Sequence, residues 1–104
     1  MTEMVYNKLV RDKIPELIQS QGEMPHTRVL SDAEYTDALQ QKLQEETKEF
    51  LCEKNLEELA DILEVVYALA DVIGNREELM QVYAKKHESR GGFEKRIHLI
   101  GNEE

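Results

Sequence analysis

Over Leu56 to Ile73 the chain reads Leu-Glu-Glu-Leu-Ala-Asp-Ile-Leu-Glu-Val-Val-Tyr-Ala-Leu-Ala-Asp-Val-Ile, which is apolar around most of a helix's circumference. That pattern belongs to a helix buried on nearly every side. A chain of 104 residues has too little protein of its own to wrap such a helix, so a partner subunit is the expected cover, in a homodimer or homotetramer. The acids of this stretch, Glu57, Glu58, Asp61, Glu64 and Asp71, fall on one strip.

The preceding segment explains that strip. Leu39, Leu43, Glu46, Phe50 and Glu53 recur at alternating spacings of four and three, so Glu46 stands in an apolar seam. Folding the two segments into a hairpin between Glu53 and Lys54 sets Glu46 level with Asp61 and Glu49 level with Glu58. Like charges gathered in this way repel, and desolvation raises the cost, so they call for raised pKa values or a bound cation. Oxygen ligands without His or Cys favour Mg2+, with Mn2+ as the alternative, over zinc. Glu58 has a second reading, because Asn55-Leu56-Glu57-Glu58 also has the form of a capping box. Two ordinary surface acid pairs are the plainer alternative for the whole group. Two facing pairs, one of them interrupting an apolar seam, favour the metal site.

Glu45-Glu46-Thr47-Lys48-Glu49 followed by Glu58-Leu59-Ala60-Asp61 resembles the E-E-x-x-E and E-x-x-D signature of the MazG-like all-α nucleoside triphosphate pyrophosphatases, a superfamily that includes phosphoribosyl-ATP pyrophosphatase. Tyr6-Asn7-Lys8-Leu9-Val10-Arg11-Asp12-Lys13-Ile14-Pro15 and Arg90-Gly91-Gly92-Phe93 resemble the opening and closing motifs of one small single-domain branch. Eight residues between Glu49 and Glu58 make the interval shorter than the superfamily's usual one. The resemblance implies an all-α domain spanning residues 1–104 and hydrolysis of a nucleoside triphosphate between the α- and β-phosphates, as in house-cleaning of the nucleotide pool. It implies Glu46, Glu49, Glu58 and Asp61 as metal ligands, with the ion bridging phosphate oxygens while water attacks phosphorus in line. Glu45 then either orients or deprotonates that water, or faces solvent. The resemblance also favours Lys8 and Arg11 as phosphate ligands over an ion-paired, solvated face. The alternatives are a true phosphoribosyl-ATP pyrophosphatase and a non-catalytic helical dimerisation module.

Charge and composition narrow the partners. A formal net charge of −9 argues against polymeric nucleic acid and anionic membranes, because a phosphate surface would be repelled. A small anionic substrate therefore has to arrive with a metal. Cys52 stands alone, which excludes an intrachain disulfide and a cysteine-rich zinc site. Met1-Thr2-Glu3-Met4-Val5 lacks the basic and apolar regions of a signal peptide, and acids interrupt the long apolar helix, so a cytoplasmic location is expected.

In chain order, Asp12-Lys13-Ile14-Pro15-Glu16 reads as a helix entry with Asp12 as cap, ending by Gly22. Glu23 to Leu30 reads as a loop with a short extended piece at Thr27 to Leu30, and His26 as solvent-exposed. Ser31-Asp32-Ala33-Glu34 opens the next helix as a capping box, running to about Glu53. Gly74-Asn75 suits a left-handed cap after the apolar helix. Arg76 to Ser89 is a fourth helix, with cations near its end suiting its dipole. Gly91-Gly92 breaks it and either forms a plain turn or lets backbone N–H groups approach a phosphate beside Arg90 or Lys86. Phe93 to Ile100 alternates loosely, as in a short terminal strand that carries His98 on one face.

Overall fold

The computed structural model describes residues 5–104, and these form four helices and no strand. They are α1 (Ile14–Ser20), α2 (Asp32–Glu53), α3 (Leu56–Ile73) and α4 (Arg76–Arg90). The signal-peptide reading of Met1 to Met4 lies outside the described residues. No helix among the described residues is long and apolar enough to cross a membrane.

Side-chain caps start the three long helices. The Ser31 hydroxyl accepts the Glu34 N–H at 3.3 Å, and the Ser31 N–H donates to the Glu34 carboxylate at 3.2 Å, completing the expected capping box. Asn55 and Asn75 accept the N–H groups of Glu58 and Glu78 at 3.0 and 2.9 Å. Each cap contributes about 1 kcal/mol. At α1 the expected Asp12 cap is not used: Lys13 occupies the cap position without a side-chain bond, and Pro15 sits in the first turn. A proline there loses nothing, since its missing N–H would have had no helical partner.

The hairpin turn is a single left-handed residue. Lys54, at φ 54° and ψ 43°, donates its N–H to the Phe50 carbonyl at 2.7 Å, and Asn55 then caps α3. So abrupt a reversal lays α2 and α3 side by side. The expected left-handed cap at Gly74-Asn75 does not form: Gly74 has φ −161°, and Asn75 is extended because it serves as the N-cap of α4. Thr27 to Leu30 enters no strand, and the terminal strand at Phe93 to Ile100 is not formed. Neither has a neighbouring strand to take up its backbone hydrogen bonds, and a lone strand leaves them to water.

Helix packing consists almost wholly of α2 on α3; α4 meets α3 sparingly and α2 not at all among the described residues. The buried hydrophobic residues among those described are Leu39, 3 % exposed, and Val65, 8 % exposed, and no side chain among them is fully sealed. The accessible surface of 10067 Å² compares with roughly 6,000 Å² for a compact protein of this mass. The radius of gyration is 18.7 Å, against about 13 Å for a compact chain of this length. The chain folds as an extended hairpin with α4 projecting from it.

Candidate metal and phosphate site

The α2–α3 seam carries its apolar residues and its acids together. Leu39 is buried, and Leu43, Glu46 and Phe50 are half-buried along the same line of α2. The turn at Lys54 brings Glu58 and Asp61, in the first two turns of α3, opposite this line. One carboxylate oxygen each from Glu46, Glu58 and Asp61 lies within 4.8 Å of the other two, and all three residues are half-buried. Around an octahedral Mg2+ with bonds of about 2.1 Å, trans ligand oxygens are about 4.2 Å apart and cis oxygens about 3 Å, and at least two of the three pairs in a triad must be cis. The three carboxylates would have to close toward that spacing to hold the ion, for which an all-oxygen donor set is suited.

Glu49 lines the same cavity of about 450 Å³ but lies outside the triad. It is exposed, and repulsion from Glu58 favours a carboxylate turned to water there. Glu45 is also exposed and lines the cavity. Lys42, which the sequence reading passed over, approaches Glu45 at 3.8 Å and Glu46 at 3.7 Å from one helical turn away. Its signal was legible, since Lys at i with Glu at i+3 and i+4 shares one helix face.

The segment before α1 supplies cations. Arg11 donates from Nη2 to Asp61 Oδ1 at 2.6 Å, and Lys8 lines the cavity. With side-chain exposures of 56 % for Arg11 and 39 % for Asp61, this ion pair is worth under about 1 kcal/mol. It can be exchanged for another partner at little cost. Lys86 and Arg90 are not brought to this cavity. Arg90 lines a separate one of about 330 Å³ with His87, Gly91 and Gly92 at the end of α4. The physical reason is that α4 does not return along the hairpin but projects from the end of α3 opposite the acids.

Glu58 takes the first half of the capping box only. Its N–H is capped by Asn55, while its carboxylate lies with Glu46 and Asp61. Desolvation, then repulsion from Asp61, Glu49, Glu46 and Glu53, raises its pKa above the ordinary 4.5. The folded chain therefore holds this proton more tightly than the unfolded chain. The stability that proton gives is full below about pH 4.5 and is lost as pH rises through the raised value. Glu34 has the opposite sign: hydrogen bonds from Arg28, then from Ser31, hold it at about 2. Its contribution is present above pH 4.5 and fades as pH falls toward 2. In metal-free urea melts between about pH 4 and pH 7, Glu58→Gln should flatten the loss of stability on the neutral side. An unchanged slope would show that Glu58 feels no such repulsion.

No family model matches the chain, and no solved structure matches it. A 42-residue stretch is 57 % identical to a Mycolicibacterium smegmatis protein described as "Uncharacterized protein". The match covers 40 % of this chain and 43 % of that protein. The chain thus spans less than half the length of the relative it matches.

Proposed function

We propose that the chain is a metal-dependent nucleoside triphosphate pyrophosphohydrolase, releasing a nucleoside monophosphate and pyrophosphate and so clearing unwanted triphosphates from the nucleotide pool. The observation that carries this reading is the half-buried triad of Glu46, Glu58 and Asp61, with oxygens within 4.8 Å of one another and Arg11 and Lys8 at its edge. An acidic pocket fringed by cations can hold a divalent ion and a polyphosphate together. The MazG-like resemblance of the acid motifs supports the same choice of reaction.

Glu46, Glu58 and Asp61 would hold Mg2+, or Mn2+, with Glu49 close enough to join them. Such an ion, when bound, supplies charge neutralisation at phosphate oxygens and activation of water. The chain's own residues do the rest. Arg11 exchanges Asp61 for a phosphate oxygen, and Lys8 neutralises a second one. Glu45, exposed on the rim, accepts the proton of the attacking water, while Lys42 steadies Glu45 and Glu46 from the same face. Hydrolysis then breaks the α–β anhydride bond, with pyrophosphate as the leaving group.

The reading includes a homodimer or homotetramer, supported by the large exposed apolar surface. That surface also favours a second reading, a helical dimerisation module without chemistry. One experiment separates them: a panel of triphosphates assayed for pyrophosphate release with millimolar Mg2+, alongside thermal unfolding with and without the metal. The enzyme predicts release that depends on metal and a raised melting temperature, since an ion bound only by the folded state stabilises it. No release and no thermal shift would leave the module.

A further inference from the structure

Helix α3 has two apolar seams, and α2 covers one of them. Glu58, Ile62, Val65 and Leu69 recur at spacings of four, three and four, and Val65 at their centre is buried. Leu56, Leu59, Leu63, Val66, Ala70 and Ile73 recur at three, four, three, four and three along a neighbouring side, roughly 100° round the helix at 100° per residue. This second seam is open over its length: Leu56 and Ile73 are 81 % and 87 % exposed, Leu59 and Leu63 are exposed, and Val66 and Ala70 are partly so. A strict three-four alternation sustained over five turns is the spacing of a helix seam that packs on another helix.

We infer that this open seam takes a second copy of the chain, with α3 packed antiparallel on α3 about a two-fold axis. The spacing reads the same in both directions, as a self-complementary two-fold contact requires. Antiparallel pairing sets Leu56 opposite Ile73, Leu59 opposite Ala70 and Leu63 opposite Val66, so the longest side chain of the middle layers meets the smallest. Parallel pairing would set Ala70 on Ala70 and Leu59 on Leu59, leaving one layer underfilled and another crowded.

The flanks agree with this arrangement. Ala60 and Tyr67 border the seam on one side and Ile62 and Leu69 on the other, so no charged residue of α3 itself borders it; the Arg76 guanidinium lies 3.5 Å over the Tyr67 ring at one end of that flank. Glu57, Glu64 and Asp71 lie roughly 120° further round, given 100° per residue. There they stay in water on the side of the acidic pocket, which remains open. The chain exposes roughly 4,000 Å² more than a compact protein of its mass, well above the roughly 800 Å² that each partner buries in a standard stable interface. This docking deepens the oligomer part of the proposed function and is independent of its chemistry.

The test is cross-linking by register. In a Cys52→Ser background, one tagged chain carries Leu59→Cys and a second, differently tagged chain carries Ala70→Cys. The expected result is a disulfide between the two tags after mild oxidation, with little coupling of either chain to its own kind. Dominant coupling of Ala70→Cys chains to one another would mean parallel packing and overturn the inference. So would a well-folded wild-type monomer in analytical ultracentrifugation at micromolar concentration. Leu63→Glu should shift the wild-type assembly to monomer or unfold it, whereas Glu57→Gln, off the seam, should leave the mass unchanged. A Leu63→Glu chain that keeps the wild-type mass would overturn the inference equally. A wild type inactive on every triphosphate, yet coupled between residues 59 and 70, would remove the enzymatic reading and leave this surface standing.

Discussion

Asp61→Asn should abolish pyrophosphate release, by on the order of 10²–10³-fold in kcat, while helix content and oligomeric mass stay as in the wild type. The substitution keeps the shape of the side chain and removes one negative charge from a triad whose oxygens lie within 4.8 Å. For a ligand, that charge is what holds the ion. For a structural acid, its loss would relieve repulsion, leave any activity intact and raise the melting temperature. Arg11 makes the comparison sharper, because it is the side chain bonded to Asp61 at 2.6 Å. Arg11→Ala should change stability little, since so exposed a pair is worth under about 1 kcal/mol. It should raise KM for the triphosphate with a smaller effect on kcat, as expected of a group that contributes binding. Stopped assays of both variants over a range of Mg2+ decide the matter, and full activity in Asp61→Asn would defeat the assignment.

Leu39→Ala should cost about 2–4 kcal/mol of stability, the usual range for truncating a buried leucine. For a domain of this size that corresponds to a fall in melting temperature of roughly 8–32 °C, at about 4–8 °C per kcal/mol. The effect is large because so little else is buried: Leu39 and Val65 are the buried hydrophobic residues among those described. They stand in the seam that holds α2 to α3, and the acids occupy the same seam. Loosening it should therefore weaken metal binding as well as the fold. Differential scanning calorimetry with and without Mg2+ reads both, and a melting temperature within about 3 °C of wild type would show that the seam is not the core.

Much of this architecture is legible in the residues themselves, because helices of this length are governed by local rules. Ser31 with Glu34, Asn55, and Asn75 mark three helix starts that their own side chains enforce. The alternation through Leu39, Leu43, Glu46 and Phe50 places a carboxylate in the seam, and a one-residue turn then sets the level of Asp61 across from it. Lys42 was equally readable, one turn before Glu46. Where the sequence misleads, the missing quantity is a contact between distant segments. Phe93 to Ile100 has the alternation of a strand but no neighbour to pair with. Gly74 and Asn75 suit a left-handed stop, yet the next helix claims Asn75 as its cap. Spacing sets Glu49 and Glu58 on one rung, and Glu49 does line the same cavity and repel Glu58, but it stands outside the group of oxygens within 4.8 Å of one another. The cationic ends show the limit most clearly. Lys8 and Arg11 come to the acids, and Lys86 and Arg90 do not. The direction in which α4 leaves α3 is set by tertiary packing, and no periodicity within α4 contains it.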